Sequence, residues 1–351
     1  QSYRFMDLGE HTLRSPEKTS FPQPIYSQCP FAEMENQSGN TKIKYFDGTS
    51  DYIIRDMGAN PVQKLAVMGS NLYVFTNYQI LKMDTNHNFT VLKTSTTYML
   101  YDSVLTNIAI TNNNIYFCMN ENLSSNNKGS ELYKVNSTSV SLVKDYAVGT
   151  NSGCQYSSIK VVSAASDTIV YNASPSGSSS SNYLLFSNGT DAGTISLTNP
   201  SASGTSSSSP YVRHGGFYPS SVLNKIFFAN NFSGFQSELF AVNSPYAASS
   251  SYLVQDLYST TRASDPYILG ELNSKVLFYG IGTSNFVGAL YSSDGTVGGI
   301  QTITSLPIYN TSFEVMPDRL GVKLNNKIYF LIGYKKLYET DGTAAGTKLV
   351  K

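Results

Sequence analysis

Leu337-Tyr338-Glu339-Thr340-Asp341-Gly342-Thr343-Ala344-Ala345-Gly346-Thr347-Lys348-Leu349-Val350-Lys351 is the stretch whose reading decides the fold. Two short runs, Leu337–Glu339 and Thr347–Val350, flank a turn built on Asp341-Gly342-Thr343 and Gly346. An Asp-Gly pair between such runs signals a β-hairpin, because the turn needs a positive φ that Gly supplies without strain. The same text is written upstream with variations. It stands as Tyr45-Phe46-Asp47-Gly48-Thr49 ahead of Tyr52-Ile53-Ile54, as Asn188-Gly189-Thr190 with Gly193-Thr194, and as Asp294-Gly295-Thr296 with Gly298-Gly299. The chain is an internal repeat.

Working outward, each hairpin is preceded by a short apolar strand entered through Asn, Thr or Lys. Its copies are Asn71-Leu72-Tyr73-Val74-Phe75, Asn114-Ile115-Tyr116-Phe117, Thr168-Ile169-Val170-Tyr171, Lys225-Ile226-Phe227-Phe228, Lys275-Val276-Leu277-Phe278 and Lys327-Ile328-Tyr329-Phe330. Tyr73 to Tyr329 covers five intervals, a period of about 51 residues, which suits propeller blades with generous loops. A weaker strand comes before each copy, as in Lys64–Val67 or Ser158–Val162, and the two strands of the hairpin follow it. A continuous apolar strand fits a position buried on both faces; alternating strands fit half-exposed outer positions. Four strands per unit, repeated, predict an all-β fold: a β-propeller of six or seven four-stranded blades preceded by an extended N-terminal arm. A many-stranded β-sandwich is the plainer alternative, but it has no reason to repeat one four-strand text.

The expected organisation is an arm over residues 1–40 and a propeller over 41–351, with a partial blade at 41–62 and six repeat units at 63–351. Residues 1–40 carry Pro16, Pro22, Pro24 and Pro30 and few apolar clusters, which reads as extended chain or a loosely held terminus. The partial blade matches only the third and fourth strands of a unit. Either residues 1–40 supply two more strands for a seventh blade, or the ribbon finds partners elsewhere, because two strands alone are marginal.

Composition narrows the function classes. Charged residues are 14% of 351, the net charge is zero, and polarity comes from Ser, Thr and Asn. Without a basic surplus to neutralise phosphates, nucleic-acid binding is not expected. No run approaches the roughly 18–20 apolar residues that span a bilayer, so membrane insertion is not expected either. Twenty-six Tyr and 18 Phe with no Trp suit a pleated, half-exposed surface. The chain opens on Gln1, which reads as a mature form after signal-peptide removal.

The hairpin text resembles the repeat of secreted, mostly bacterial ELWxSDGT-type proteins, whose unit runs E-L-W-x-S-D-G-T-x-x-G-T-x-L-V-K-D. The similarity is carried by Leu337–Lys351, by 289–299, and by Glu131-Leu132-Tyr133-Lys134 with Ser141-Leu142-Val143-Lys144-Asp145. Tyr or Phe stands where that family has Trp. The resemblance implies a propeller-like fold and a secreted or cell-surface setting, and it brings no catalytic residues with it.

Chemistry is sparse in the text. His11, His87 and His214 have no metal-ligand spacing and no Cys-x-x-Cys beside them, and no nucleophile elbow or phosphate loop occurs. Asp47, Asp294 and Asp341 invite a calcium reading, but Asp before Gly in a turn bonds its own backbone, and no Asp-x-Asp-x-Asp loop follows. No catalytic, cofactor-binding or metal residue is assigned, and the expectation is a chain that is not an enzyme. Cys118 and Cys154 are the candidate disulfide among three cysteines; the competing reading makes Cys118 a small buried apolar residue. Sequons stand at Asn36, Asn88, Asn122, Asn136, Asn172, Asn188, Asn231 and Asn310, with Asn88 and Asn231 beside strands. Chance alone predicts about seven, so placement in turns carries more weight than number.

Three function classes follow. The first is a structural or adhesive extracellular glycoprotein that assembles with copies of itself, even into filaments, through its arm and partial blade, with Tyr45, Phe46, Tyr52, Ile53 and Ile54 as assembly candidates. The second is a propeller that binds glycans or proteins through loop Tyr and Asn. The third, a hydrolase or lyase, needs clustered acids or histidines that the text does not display.

Overall fold

The computed structural model describes residues 4–5, 29–34, 41–46, 51–58, 60–99, 108–121, 128–154, 158–175, 183–197, 216–232, 235–257, 264–282, 287–306, 321–332 and 336–351. All regular structure in them is β. Sheet 1 is β1 Arg4–Phe5, β2 Cys29–Met34, β3 Thr41–Phe46 and β4 Asp51–Asp56; sheet 2 is β5 Val62–Met68, β6 Asn71–Thr76, β7 Gln79–Met83 and β8 Phe89–Thr94. Sheet 3 is β9 Ala109–Ile110, β10 Ile115–Asn120, β11 Ser130–Val135 and β12 Val140–Lys144; sheet 4 is β13 Ile159–Ser163, β14 Thr168–Ala173, β15 Tyr183–Ser187 and β16 Thr194–Ser196. Sheet 5 is β17 Phe217–Ser220, β18 Lys225–Phe232, β19 Phe235–Asn243 and β20 Tyr252–Gln255. Sheet 6 is β21 Tyr267–Leu272, β22 Lys275–Gly282, β23 Val287–Ser293 and β24 Ile300–Leu306. Sheet 7 is β25 Val322–Leu324, β26 Lys327–Ile332, β27 Lys336–Thr340 and β28 Lys348–Leu349. Each is an antiparallel meander of four consecutive strands, and together they are a fold of the β-propeller class.

Sheet 1 settles the leftover half-unit. Its first two strands come from inside residues 1–40, with Phe5 opposite Ala32 and Cys29 opposite Phe46, so β3 and β4 do not stand as a two-stranded ribbon. The reading of 1–40 as an arm outside the repeat is corrected for these two stretches. Pro30 had hidden β2. It pairs with Tyr45 of β3, and a proline inside a strand interrupts the alternation by which a strand is read.

The chain divides into two compact units, Gln1–Gln155 with Ala164–Asp167, and Tyr156–Ser163 with Thr168–Lys351. Within each, side-chain alternation along the second strand does the packing. In the first unit, Leu72 and Val74 of β6 meet Ile43 of sheet 1, while Tyr73 and Phe75 meet Ile115, Phe117 and Met119 of sheet 3. In the second, Ile226 and Phe228 of β18 pack with Val170 and Leu184 of sheet 4, and Phe227 packs with Val276 and Phe278 of sheet 6. Leu277 and Tyr279 then face Ile328 and Phe330 of sheet 7. Sheets 2, 5 and 6 are covered on both faces, which is why their second strands read as unbroken apolar runs. A bulge recurs between third and fourth strands, at Leu132/Tyr133, Leu239/Phe240 and Leu290/Tyr291, so the register shift belongs to the repeat.

Candidate functional site

The Asp-Gly-Thr turns come first, because their carboxylates were the sequence's nearest approach to chemistry. In sheet 7, Asp341 Oδ1 accepts the Thr343 N–H at 2.9 Å and the Thr343 hydroxyl at 2.6 Å. Thr343 Oγ1 accepts the Gly346 N–H at 3.0 Å, and Thr340 and Thr347 close the base at 2.8 Å. Gly342 takes φ +90°, and a Cβ on Gly346 would run into the Asp341 carboxyl, which explains both glycines. Sheet 4 repeats every bond with Asn188 in place of Asp. The Thr343 bonds hold the Asp341 carboxyl below the usual range, and those of Thr296 do the same for Asp294. These carboxylates are spent on turn geometry. Asp47 lies outside the described residues.

A second recurring device went unread in the sequence. Glu131, in Ser130-Glu131-Leu132-Tyr133, is buried, and its Oε1 accepts the N–H groups of Ala147 and Gly153 at 3.1 and 3.0 Å while Oε2 accepts that of Tyr146 at 3.1 Å. Glu238, in Ser237-Glu238-Leu239-Phe240, is equally buried and takes the Ser264 N–H at 3.0 Å, the Ser264 hydroxyl at 2.6 Å and the Leu257 N–H at 3.3 Å. Ser130 and Ser237 offer their carbonyls to Cys154 and Asp265 in the same segments. The glutamate therefore ties the connection leaving its sheet to the third strand. Burial pushes both carboxyls up to about 7 against the donated hydrogen bonds. The repeated Ser-Glu-Leu-aromatic text was the available signal.

Cys118 and Cys154 are joined by a disulfide across 36 residues, with Cα atoms 5.6 Å apart. It fastens the same connection that Glu131 holds. Of the sequons, Asn88 and Asn188 are exposed and Asn136 is half-buried; Asn136 and Asn188 each use Oδ1 to cap their own turn. Asn172 is a correction: it is buried, with Oδ1 accepting the Ser158 N–H at 2.8 Å, and a glycan has no room there. Asn36, Asn122 and Asn310 lie outside the described residues, as do the Asn231 side chain, His11 and His214. His87 is exposed in the Asp84–Asn88 turn at φ +63°. Among the described residues no group of three or more His, Cys, Asp or Glu is placed to hold a metal ion, and no helix is long and apolar enough to cross a membrane. A cleft of about 270 Å³ lies between sheets 6 and 7, lined by Leu272, Asn273, Lys275, Gln301, Ile303 and Gly342.

The assembly candidates divide. Ile54 packs against the Leu72 and Val74 cluster, whereas Ile53, opposite Lys44, stands on the other face of sheet 1 and is 57% exposed. Tyr52 is also exposed, and the Tyr45 and Phe46 side chains lie outside the described residues. Sheet 7 has a matching feature that the sequence did not flag. With Ile328, Phe330 and Ile332 turned toward sheet 6, the opposite face carries Leu331, Val322 (paired with Tyr329) and Leu324 (paired with Lys327). These are 42%, 51% and 49% exposed. On the same face Glu339 bonds Lys327 at 2.8 Å and lies 3.4 Å from Lys348, which holds its carboxyl below the usual range.

No family model and no curated protein matches the chain. Solved structures do resemble it. One, from work on two prolyl endopeptidases, has 10% identity and a TM-score of 0.47 over 92% of this chain and 48% of that one. The extracellular domain of a hybrid two component system from B. thetaiotaomicron gives 12% and 0.39 over 92% and 36%. The tricorn protease gives 11% and 0.34 over 83% and 26%. The chain thus spans less than half the length of each of these three, and likeness at this level identifies no shared activity. It does overturn one expectation. Peptidases are among the proteins of similar fold, so the reading that this chain is not an enzyme, which rested on missing motifs, does not stand.

Proposed function

We propose that this chain is an extracellular structural protein of the secreted repeat type that assembles head to tail with copies of itself. The observation that carries the reading is the outer face of sheet 7. Sheets 2, 5 and 6 bury both faces against their neighbours, yet Val322, Leu324 and Leu331 form an apolar strip open to solvent. At about 25 cal/mol per Å², such a strip gains by being covered. The occupant is the Ile53-bearing face of sheet 1 on a second copy, where Ile53 is exposed. Sheet-on-sheet packing in this repeat is directional, leading face against trailing face, so a first sheet is shaped to receive a last one. That contact is heterologous and extends into filaments wherever its rotation does not close. The Cys118–Cys154 disulfide and the exposed Asn88 and Asn188 sequons support an oxidising, extracellular setting.

The test is a crosslink. In a Cys29→Ser background, Ile53→Cys and Leu331→Cys are introduced together, and the protein is oxidised gently and run without reductant. Ladders of crosslinked chains are expected, with each single-cysteine variant staying uncrosslinked, and Leu331→Asp should dissolve assemblies seen by light scattering and electron microscopy. A crosslink confined within one chain, or a wild type that stays monomeric at high concentration, overturns the proposal.

A further inference from the structure

Two neighbouring junctions in the second unit are built from the same repeat text and finish differently. Between sheets 5 and 6 the Asp294-Gly295-Thr296 turn sits over β18 and β20; between sheets 6 and 7 the Asp341-Gly342-Thr343 turn sits over β22 and β24. Strand register aligns the two. Phe227 pairs with Ala241, which pairs with Tyr252; Leu277 pairs with Ser292, which pairs with Gln301. Lys225 and Lys275 each stand two residues before the first of these. Gln301 therefore takes the place of Tyr252, and Leu277 that of Phe227.

At the sheet 5 junction the two rings fill the space under the turn. Tyr252 donates its hydroxyl to the Gly295 carbonyl at 2.7 Å, and Lys225 Nζ lies 3.3 Å from that hydroxyl and 5.9 Å from the ring centroid. A Cβ on Gly295 would stand 2.8 Å from the Phe227 ring, and Gly295 is buried. At the sheet 6 junction a Cβ on Gly342 would meet nothing closer than Asn273 Nδ2 at 3.6 Å, and Gly342 is half-buried. With Gln and Leu in place of Tyr and Phe, the space under this turn is the cleft of about 270 Å³. Leu272, Leu277 and Ile303 give it apolar walls, and Lys275, donating to Gln301 Oε1 at 2.8 Å, supplies the ammonium that Lys225 supplies in sheet 5. Sheets 6 and 7 run into residues outside the described set at Gly282, Leu306 and Ile332, the strand ends far from this turn. A cavity of about 150 Å³ holds a benzene ring, so this cleft suits one substituted ring rather than a larger ligand.

We propose that the cleft binds a phenol, free or at the end of a tyrosine side chain of another molecule, with the ring over Leu277 beside Lys275 and the hydroxyl reaching the Gly342 carbonyl. The site faces sheet 6, whereas the Leu331 strip lies on the other face of sheet 7, so neither proposal depends on the other. The wild type is titrated by calorimetry and ligand-observed NMR with para-cresol, with toluene as the ring without a hydroxyl and N-acetyl-tyrosinamide as the ring carried on a backbone. Saturable binding of para-cresol is expected, with toluene roughly threefold to tenfold weaker for want of the hydrogen bond. The tyrosine amide binding as tightly as para-cresol assigns the ligand to a tyrosine of a partner protein; para-cresol binding alone assigns it to a free phenol. Gln301→Tyr restores the sheet 5 residue at an exposed position and should weaken binding roughly tenfold or more by filling the cleft, while Lys275→Met should weaken it roughly threefold. A wild-type melting curve for each variant separates a changed cleft from a lost fold. The assignment is overturned if para-cresol does not bind at millimolar concentration, if toluene binds as tightly, or if either well-folded variant binds like wild type.

Discussion

Sheets 5 and 7 are written in nearly the same text and live in different surroundings. Their second strands read Lys225-Ile226-Phe227-Phe228 and Lys327-Ile328-Tyr329-Phe330. In sheet 5 both parities of side chain are buried, Ile226 and Phe228 on one side and Phe227 on the other. In sheet 7 only Ile328 and Phe330 are enclosed, and Leu331 on the opposite face is exposed. The text specifies a blade, but the neighbour decides how much each side chain stabilises it. The largest expected difference follows: Phe228→Ala should cost roughly 3–5 kcal/mol in urea denaturation, and Leu331→Ala less than about 1 kcal/mol. Equal losses at the two positions would break the comparison by showing that the sheet 7 face is covered in solution.

The third strands differ too. Sheet 5 places Glu238 before Leu239-Phe240, whereas sheet 7 places Lys336 before Leu337-Tyr338. Burial raises the Glu238 carboxyl to about 7, above its value near 4.5 in an unfolded chain, and Glu131 behaves alike. Between these values the folded state binds more protons than the unfolded state, so the two groups favour folding fully below about pH 4.5. That contribution is lost as pH rises to about 7 and is flat beyond. Glu238→Gln should therefore cost about 1–3 kcal/mol at pH 5 and make the slope between pH 4.5 and 7 shallower. Chemical denaturation at several pH values measures both. An unchanged slope would mean that the glutamates are not the titrating groups.

How much of this was legible depends on where the repeat repeats. The second strands and the Asp-Gly-Thr hairpins were readable because an unbroken apolar run and a positive-φ turn are local signals. The second strand of sheet 1 and the first strands of sheets 5 and 6 were not. β2 and β17 contain Pro30 and Pro219, and β21 contains Gly270 at φ +145° beside a bulge, so each interrupts its own alternation. Of the site, Ile53 was readable as an apolar residue without a unit, but the sheet 7 strip was not. Leu331 follows the same alternation as the buried Phe residues, and among the described residues of its unit no further sheet covers it. The cleft under Gly342 was invisible for a related reason. It follows from Gln301 standing where sheet 5 has Tyr252, and the hairpins leading to those residues differ in length, so strand register rather than sequence spacing aligns them.

What sheets 5, 6 and 7 do not differ in is the need for a turn after the third strand, and the smallest expected effect sharpens that. Asp341 accepts two hydrogen bonds from Thr343 through Oδ1, and in sheet 4 Asn188 accepts the same two from Thr190. The amide offers the same acceptor in the same place. Asp341→Asn should then change stability at pH 7 by less than about 0.5 kcal/mol, while Asp341→Ala, which leaves the Thr343 donors to water, should cost about 1 kcal/mol. The charge enters only through pH. Because the folded Asp341 carboxyl titrates below its ordinary value, it contributes stability above about pH 4 that is lost on acidification, and Asp341→Asn should flatten that acid limb. Melting curves of the three proteins at pH 7 and pH 3 decide the matter. An Asn variant as damaged as the Ala variant would show that the carboxylate holds something besides its own turn, and would reopen a cation at this position.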